Sequence, residues 1–465
     1  MRWPTCASPR CTAAFRTSRP FAPRSTRCAS TAGGGRRARI SCPCCRARTR
    51  RSGANELADH RDGVLMERDE MHMARSIELA RRGLYTTDPN PRVGCVLVDG
   101  ERVLGEGWHV RAGEAHAEVV ALRAAAVGAD AGGAAGEGAP ADGVAPPGWA
   151  PGASGMGRSV RGATAYVTLE PCSHVGRTGP CAVALIEAGI RRVVCASVDP
   201  NPKVAGAGIE RLRAAGVAVS VGVLEHEARA LNPGYFSRHE RGRPWVRLKL
   251  AVSLDGRSAP VGGGPMLLTG EAARADVQRW RARSSAILTG AGTVVTDDPR
   301  LDVRLAYGPW VRQPLKVVLD EQLRVAPGAR VFAGGAPVLV FTGEATSVRS
   351  SFPATVEIAR VPPARAGAWR LGGGGLDLKA VLERLAAREI NELLVECGAR
   401  LAASFLEAQL VDELVLYVAP LLLGADAAPL AALRTLPLER LPRFSLLDVE
   451  RFDADVRLVL APRGG

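Results

Sequence analysis

The residues best suited to chemistry are a histidine, a glutamate and two cysteines in the first half of the chain. They are His116, Glu118, Cys172 and Cys181, with Pro171 directly before the first cysteine. One imidazole and two thiolates provide three ligands for a tetrahedral zinc ion and leave its fourth position to water. Zinc lowers the pKa of that water to about 7, which makes a nucleophile available at neutral pH. Glu118 is predicted to carry protons rather than to bind the metal.

The order of these residues resembles that of the zinc nucleobase deaminases, H-x-E followed by P-C-x-x-C. A buried histidine and two inert thiols would account for the same residues, but their matching strand–helix order favours zinc. Eight residues separate Cys172 from Cys181 instead of two, which predicts a longer loop over the site. Both cysteines lie near the start of a predicted helix, and Pro180 fits a first-turn position. A helix N-terminus favours a charged sulfur.

The elements that would position these residues alternate between helices and strands. The predicted helices are Met73–Leu84, Ala115–Ala126, Cys181–Ala188 and Gly208–Ala215. The predicted strands are Val93–Val98, Val103–Gly105, Thr164–Leu169, Arg192–Ser197 and Val217–Val221. This alternation predicts an α/β sheet with helices on both faces. Residues 127–161 are mainly Gly, Ala and Pro, which predicts a flexible surface insertion.

A second α/β pattern follows a polar stretch at 225–244, which is predicted to be the linker between two domains. Its predicted helices are Glu271–Arg283, Leu378–Ala387 and Ala399–Leu406. Its predicted strands are Trp245–Val252, Ala286–Thr289, Lys316–Leu319, Val338–Phe341, Glu392–Glu396, Glu413–Val418 and Asp455–Leu460. The Rossmann fingerprint G-x-G-x-x-G is absent. The turns Gly290–Thr293 and Glu396–Gly398 are candidates to approach phosphates, although each alone is more typical of a plain turn.

The positive charge of the chain is concentrated at its beginning. The 465 residues hold 61 Lys+Arg and 47 Asp+Glu, a net charge of +14. Residues 1–54 contain 13 arginines and no acid, which leaves 48 basic and 47 acidic residues in the remainder. A nucleic-acid-editing deaminase needs a basic surface beside its site, so this balance speaks against one. No apolar run reaches the ~18 residues of a membrane span.

Residues 1–65 are predicted to be a basic tail, with domains at 66–224 and 245–465. Three interpretations of the tail stay open. The favoured one is a non-native or unstructured stretch, with translation starting at Met66 or Met71. A transit peptide would also be rich in Arg and Ser and poor in acids. A zinc knuckle would use tail cysteines whose spacing lacks two clean pairs: Cys6, Cys11, Cys42 and Cys45.

Longer motifs make the resemblance specific from about residue 71 to the C-terminus. They are Thr87–Cys95, Gly105–His109, His116–Glu118, Tyr166–His174, Asp199–Pro202, Lys249–Arg257, Gly292–Leu301 and Val395–Gly398. Together they resemble the RibD family of riboflavin biosynthesis, in which a pyrimidine deaminase is joined to a uracil reductase. This resemblance implies a cytidine-deaminase-like three-layer αβα domain followed by a dihydrofolate-reductase-like α/β domain.

For the first domain, the resemblance implies deamination of 2,5-diamino-6-ribosylamino-4(3H)-pyrimidinone 5′-phosphate. Water activated by zinc would attack the carbon that bears the 2-amino group, Glu118 would move the proton, and ammonia would leave. Asn90 and His109 are expected to contact the substrate, although an asparagine before proline is equally typical of a turn.

For the second domain, the resemblance implies NADPH-dependent reduction of the ribosyl group of 5-amino-6-(5-phosphoribosylamino)uracil. The residues expected to contact the nucleotide are Ala251, Thr293, Asp297 and Gly398. Those expected to contact the substrate are Arg281, Leu301, Arg304 and Glu396. The two arginines suit a phosphate dianion because the guanidinium fork matches its oxygens.

The second domain departs from the family pattern in two places. Within Gly262–Leu267, Pro265 replaces a substrate-binding serine and Leu267 replaces a tryptophan that packs on the nucleotide. Leu421 replaces a lysine. Each lost contact weakens binding by ~1 kcal/mol or more. An alternative is therefore a deaminase whose C-terminal domain is kept only for assembly.

The expected partners are small pyrimidine ribotides, without nucleic acid or membrane, and a homo-oligomer is allowed. The cysteines do not form a disulfide framework, which indicates a reducing compartment. The predicted location is the cytoplasm, or a plastid if residues 1–54 are a genuine transit peptide.

Overall fold

The computed structural model describes residues 53–130, 160–173, 179–262, 266–304, 311–348, 351–364, 375–435, 437, 439 and 441–463. Contacts divide the chain into two units, Met1–Asp59 and His60–Gly465, and the second holds every element below except the start of helix α1 (Gly53–Arg81). The zinc-knuckle cysteines and most of the predicted insertion lie outside the described residues. Within the described ranges, no helix is long and apolar enough to cross a lipid bilayer.

The N-terminal half of the second unit is built around a five-stranded sheet. Its strands are β1 (Gly94–Asp99), β2 (Arg102–Trp108), β3 (Thr164–Val167), β4 (Arg192–Cys195) and β5 (Ala218–Val221). Their spatial order is β2-β1-β3-β4-β5. Strands β3 to β5 are parallel, whereas β1 is antiparallel to both of its neighbours. The helices of this half include α1, α2 (Ala117–Asp130), α3 (Cys181–Glu187) and α4 (Ala207–Ala214).

Alternate residues of strand β1 enter the cores on opposite faces of this sheet. Cys95 and Leu97 share one core with residues of α2, α3 and α4. Val96 and Val98 share the other core with residues of α1. Successive side chains of a strand point to opposite faces, so a strand buried on both sides reads as a continuous apolar run. The predicted sheet with helices on both faces is confirmed.

The stretch predicted to be a linker from its polar composition forms two short helices. They are α5 (Glu225–Leu231) and α6 (Pro233–Arg241). Tyr235 and Phe236 of α6 are buried in a small core with Leu169. Gly234 permits a close approach to the next half, because a Cβ there would lie 2.4 Å from the backbone oxygen of Asn391.

Nine strands form the second sheet, in the order β11-β10-β9-β8-β12-β6-β13-β16-β15. They are β6 (Trp245–Ser253), β8 (Ala286–Gly290), β9 (Leu315–Leu319), β10 (Val338–Gly343), β11 (Val356–Val361), β12 (Glu392–Glu396), β13 (Glu413–Ala419), β15 (Phe444–Phe452) and β16 (Asp455–Pro462). The run from β11 to β13 is parallel, and β16 and β15 continue it antiparallel. Strands β7 (Arg257–Ala259) and β14 (Ala428–Pro429) form a separate pair.

Four helices cover both faces of the second sheet. They are α7 (Glu271–Arg283), α8 (Ala291–Asp297), α9 (Leu378–Ala387) and α10 (Ala399–Glu407). One core joins Val395 of β12 to residues of α9 and α10. The other joins Leu394, its neighbour on β12, to residues of α7 and α8. The predicted α/β fold of this half is confirmed.

Several elements differ from those predicted. Helix α1 begins at Gly53 rather than Met73, because residues such as Glu56 and Leu57 favour a helix without forming an apolar stripe. The turn predicted at Gly290–Thr293 opens helix α8. Strands β7, β11, β14 and β15 were not predicted, and most of β15 is exposed, so it lacks the alternating apolar pattern of a half-buried strand.

A buried ion cluster joins the two halves of the unit. Glu392, with only 2% of its side chain exposed, pairs with Arg92 at 2.6 Å, with Arg283 at 3.4 Å and with Arg247. Arg247 also pairs with Glu413 at 2.9 Å. Burial alone would raise the pKa of Glu392, but the three guanidinium charges outweigh burial and hold it well below its usual range. One carboxylate thus compensates cations from both halves.

We expect Glu392→Gln to lower the free energy of unfolding by about 3–5 kcal/mol, because removing one partner leaves buried charges uncompensated. The depressed pKa means that the carboxylate stabilises the fold above the unfolded glutamate pKa of about 4.3, and that this contribution is lost as the pH falls below it. Urea midpoints across pH measure both effects. The matched control Glu357→Gln removes an exposed pair with Arg388 and should cost at most about 1 kcal/mol. Equal midpoints for both variants would contradict the expectation.

Candidate active sites

Three side chains from separate elements converge beside the first sheet. His116 directly precedes α2, Cys172 follows β3 in a loop, and Cys181 is the first residue of α3. His116 Nδ1 lies 3.3 Å from Cys181 Sγ and 3.6 Å from Cys172 Sγ. A zinc ion with bonds of about 2.0–2.3 Å to nitrogen and sulfur fits among atoms at such separations. The three predicted ligands therefore form a candidate metal site.

The surroundings of Cys172 favour its thiolate. Its pKa is lowered because the Cys181 thiol, the His116 imidazole and the Cys181 backbone N–H all donate toward its sulfur, which outweighs the opposing effect of burial. The backbone nitrogen of Cys181 lies 3.3 Å from that sulfur. The thiolate is the form that binds metals, so the chemistry of this donor set suits zinc.

Glu118 lies in the first turn of α2, with 3% of its surface exposed. Burial raises its pKa to about 7, although the charge of nearby His116 opposes that shift. Glu118, His116 and Cys172 line the same cavity. A carboxyl group whose pKa lies near the working pH can both accept and donate a proton. Its position and environment therefore suit proton transfer beside the metal site.

Asn90 and His109 face each other across the cavity wall. Asn90 Nδ2 lies 3.1 Å from His109 Nε2, and His109 Nδ1 lies 3.1 Å from the backbone oxygen of Ala115. Because a carbonyl only accepts, Nδ1 carries the proton and Nε2 accepts from the Asn90 amide. Burial lowers the pKa of His109 to about 4, so the ring is neutral at pH 7. Both side chains line the cavity, and their contact with a substrate stays a prediction.

Glu170, which was not among the predicted site residues, fixes the loop that carries Cys172. Its carboxylate accepts backbone N–H groups of Gly206 and Gly208 at 2.9 Å and of Asp199 at 3.1 Å. Gly208 allows this approach, because a Cβ there would lie 1.9 Å from the Pro171 oxygen. The start of α4 is thereby tied to the loop before Cys172. The clue was the position of Glu170 directly before Pro171-Cys172.

The cavity beside the metal site has a volume of about 420 Å³. Its wall includes Asp199, Tyr235, Arg238 and Glu389, none of which was predicted as a site residue. Tyr235 donates its hydroxyl to Asp199 at 3.0 Å, and burial raises the pKa of Asp199 to about 6. Glu389 belongs to the C-terminal half, and no local sequence pattern brings it to this wall. The cavity is of a size that holds a small molecule.

The residues predicted to contact the nucleotide lie near the carboxyl ends of parallel strands in the second sheet. Ala251 is on β6, Thr293 and Asp297 are on α8 after β8, and Gly398 precedes α10 after β12. The Gly398 N–H donates to Thr293 Oγ1 at 3.2 Å, so these two residues are brought together. Open α/β sheets bind ligands at this edge. The position fits NADPH, while the individual contacts stay predictions.

Arg281 and Glu396 form a bidentate ion pair, in which Arg281 Nε lies 2.6 Å from Glu396 Oε1 and Arg281 Nη2 lies 2.9 Å from Glu396 Oε2. A third nitrogen of Arg281 donates to the backbone oxygen of Asp302 at 3.1 Å. The guanidinium is therefore already engaged, and a phosphate contact would require it to exchange a partner. Lys249, which was not among the predicted site residues, lies opposite Glu396 on the neighbouring strand, and burial lowers the pKa of Lys249.

The remaining predicted contacts differ in accessibility. Leu301 is 2% exposed and belongs to a core cluster, so its side chain is directed into the protein. The Arg304 side chain is 55% exposed and lies 3.5 Å from Asp302. Leu267, at the position of the family's tryptophan, is 74% exposed, and residues 263–265 lie outside the described residues. At the position of the family's lysine, the Leu421 backbone N–H donates to the backbone oxygen of Ala419 at 2.8 Å.

Comparisons with protein families match both halves of the chain. Residues 66–197 match the model for the cytidine and deoxycytidylate deaminase zinc-binding region. Residues 244–458 match the model for the RibD C-terminal domain. The zinc-binding region contains His116, Cys172 and Cys181, in agreement with the geometry above.

Individual relatives match along most of their length. The chain is 43% identical over 406 residues to riboflavin biosynthesis protein RibD of Escherichia coli, covering 84% of this chain and 99% of that protein. It is 40% identical over 407 residues to RibD of Haemophilus influenzae, covering 85% and 98%. Among solved structures, Acinetobacter baumannii RibD, form 1, is 39% identical with a TM-score of 0.72, covering 86% of this chain and 100% of that chain.

A Thermotoga maritima structure is described as a diaminohydroxyphosphoribosylaminopyrimidine deaminase/5-amino-6-(5-phosphoribosylamino)uracil reductase. It is 32% identical with a TM-score of 0.69, covering 86% of this chain and 99% of that chain. The two sheets, the candidate metal site and these full-length matches agree with one another. The chain belongs to the RibD family of riboflavin biosynthesis proteins.

Proposed function

We propose that this chain catalyses two consecutive steps of riboflavin biosynthesis. The first is deamination of 2,5-diamino-6-ribosylamino-4(3H)-pyrimidinone 5′-phosphate, and the second is NADPH-dependent reduction of the resulting 5-amino-6-(5-phosphoribosylamino)uracil. The observation that carries the proposal is the convergence of His116, Cys172 and Cys181 beside buried Glu118, in a cavity of about 420 Å³. The matches to both family models support the pairing of the two activities.

In the first step, His116, Cys172 and Cys181 would hold zinc, which supplies Lewis-acid activation of a water molecule when bound. Glu118 takes a proton from that water and delivers it to the departing 2-amino group. A carbon–oxygen bond forms, the carbon–nitrogen bond breaks, and ammonia leaves. Neutral His109 and the Asn90 amide orient the pyrimidine ring from the cavity wall.

In the second step, bound NADPH would supply a hydride to C1′ of the opened ribose in its C1′=N form, while the attached nitrogen would take a proton from solvent and NADP+ would leave. Thr293 and Gly398 lie together at the sheet edge that would receive the nucleotide. The exposed Arg304 side chain is available to bind the substrate phosphate. Glu396, held in place by its ion pair with Arg281, would contact and position the substrate. The replaced family residues at 265, 267 and 421 reduce affinity without removing this arrangement.

Two assays on the full chain test the proposal. The diaminopyrimidine ribotide alone should release ammonia, and the deaminated ribotide with NADPH should lose nicotinamide absorbance. Ammonia release without nicotinamide oxidation at any substrate concentration would support a deaminase whose second domain serves assembly. Absence of both reactions from zinc-loaded protein would refute the proposal.

We also propose that the enzyme works in the cytoplasm on small ribotides, either as a single chain or as a homo-oligomer. Among the described residues outside the candidate metal site, Cys95, Cys195 and Cys397 are unpaired by disulfides, which is usual for proteins of a reducing compartment. Light scattering on the purified chain and fractionation of expressing cells test these two points.

A further inference from the structure

The loop that carries Asn90 is held by side chains from the C-terminal half. Asp88 Oδ1 accepts from Ser285 Oγ at 2.8 Å and from Asn391 Nδ2 at 2.9 Å. Asn391 Nδ2 also donates to the backbone oxygen of Pro89 at 2.8 Å. The two residues directly before Asn90 are therefore fixed by the other half of the molecule.

The hydrogen-bond pattern leaves Ser285 little freedom. Its oxygen accepts the backbone N–H groups of Asn391 and Glu392, each at 3.0 Å. Its single proton is then directed to Asp88. Ser285 and Asn391 are both buried, so water does not replace these contacts readily. The loop consequently rests on a rigid support at the start of strands β8 and β12.

The other end of the loop is fixed at Arg92. The Arg92 backbone N–H donates to Asn232 Oδ1 at 2.7 Å, and Asn232 Nδ2 returns a bond to the Arg92 oxygen at 2.8 Å. The Arg92 side chain donates to Glu392 at 2.6 Å. Only Asn90 and Pro91 lie between the two anchored ends.

We propose that Ser285 and Asn391 are positioning residues for deamination, an inference that rests on the proposed deaminase activity. By fixing Asp88 and Pro89, they hold the Asn90 amide 3.1 Å from His109 Nε2 at the cavity wall. A misplacement of about 1 Å in a reacting geometry costs up to about 100-fold in rate. The C-terminal domain thereby shapes the first active site as well as its own.

The same strands separate this support from the second active site. Asn391 directly precedes β12, and Glu396 is the last residue of β12. A strand rises about 3.3 Å per residue, so roughly 16 Å separate the two residues. A change at Asn391 is therefore expected to spare hydride transfer.

The experiment compares Ser285→Ala and Asn391→Ala with the wild-type full chain. Deamination kcat/KM should fall about 10- to 100-fold, while NADPH oxidation with the deaminated ribotide and zinc content stay unchanged. Ser285→Thr keeps the hydroxyl and should restore deamination. The matched control Ser404→Ala removes a half-buried α10 hydroxyl that donates to the backbone oxygen of Arg400, and should leave both activities intact.

A double-mutant cycle with Asn90→Ala shows whether the support acts through Asn90. If it does, Asn391→Ala will have little further effect once Asn90 is truncated, so the two losses will not add. Fully additive losses, unchanged deamination, or equal loss of both activities in both variants would overturn the inference. Failure of the deaminase proposal itself is a separate result, because wild-type protein would then release no ammonia.

Discussion

Replacing Cys172 with serine should remove zinc and reduce deamination by more than about 1,000-fold. A serine hydroxyl is not deprotonated at neutral pH and is a harder donor than a thiolate, so the site keeps two strong ligands instead of three. The metal contributes several kcal/mol of transition-state stabilisation, and each 1.36 kcal/mol corresponds to a tenfold change in rate. Elemental analysis should find one zinc fewer per chain than in the wild type.

The matched control for this variant is Cys195→Ala. Cys195 is a buried thiol in β4 of the same half, and it shares a core with Val193 and Val217 rather than the metal site. That variant should retain its zinc and its deaminase turnover. NADPH oxidation should persist in both variants, because the second site lies on the other sheet. Undiminished zinc and deamination in Cys172→Ser would show that the metal lies elsewhere.

The candidate metal site was predictable from the sequence because one histidine and two cysteines in this order are typical of zinc ligands. His116 and Glu118 are two residues apart, and the first cysteine follows a proline at the end of a strand. Such signals are local, and the fold has only to bring two loops together. Glu170 carried the same kind of local signal, but its role lies in backbone N–H groups about 29 to 39 residues further on, which no side-chain pattern marks.

The fold was predictable where apolar residues recur at helical spacing or form the short apolar run of a buried strand. Helices α7 and α9 and strand β12 have the boundaries that their sequences predict, because each places its apolar residues in a buried core. Strand β15 was missed because it lies at the sheet edge with most side chains in solvent. Strand β15 is held in the sheet by its backbone hydrogen bonds to β16. Backbone pairing of this kind does not require an alternating apolar pattern in the sequence.

The junction between the halves was the hardest part to predict. A polar, arginine-rich stretch was assigned to a linker, yet its helices supply Tyr235 and Arg238 to the cavity wall. The contacts of Asn391 with Asp88 and Pro89 span about 300 residues of sequence. Buried hydrogen bonds of this kind depend on the final packing of two domains rather than on any local propensity.

Replacing Glu118 with glutamine should reduce deamination kcat by about 100- to 10,000-fold, the range that general acid–base catalysis supplies. Glutamine has the same size and still fits the buried first turn of α2, but it cannot take a proton from water and pass it to an amine. Zinc content should stay at the wild-type level, because Glu118 lies outside the ligand set of His116, Cys172 and Cys181.

Measuring zinc content and deamination kcat separately distinguishes a Glu118 that carries protons from a Glu118 that binds the metal as a fourth ligand. If Glu118 were a ligand, Glu118→Gln would lose zinc together with activity. The exposed Glu187 at the end of α3 provides the control, since Glu187→Gln removes one carboxylate from the same half and should change neither quantity. Full deamination by Glu118→Gln would contradict the assigned role and transfer proton movement to another group at the cavity wall. Asp199, whose pKa is raised to about 6 by burial, would then be the next carboxyl group to replace.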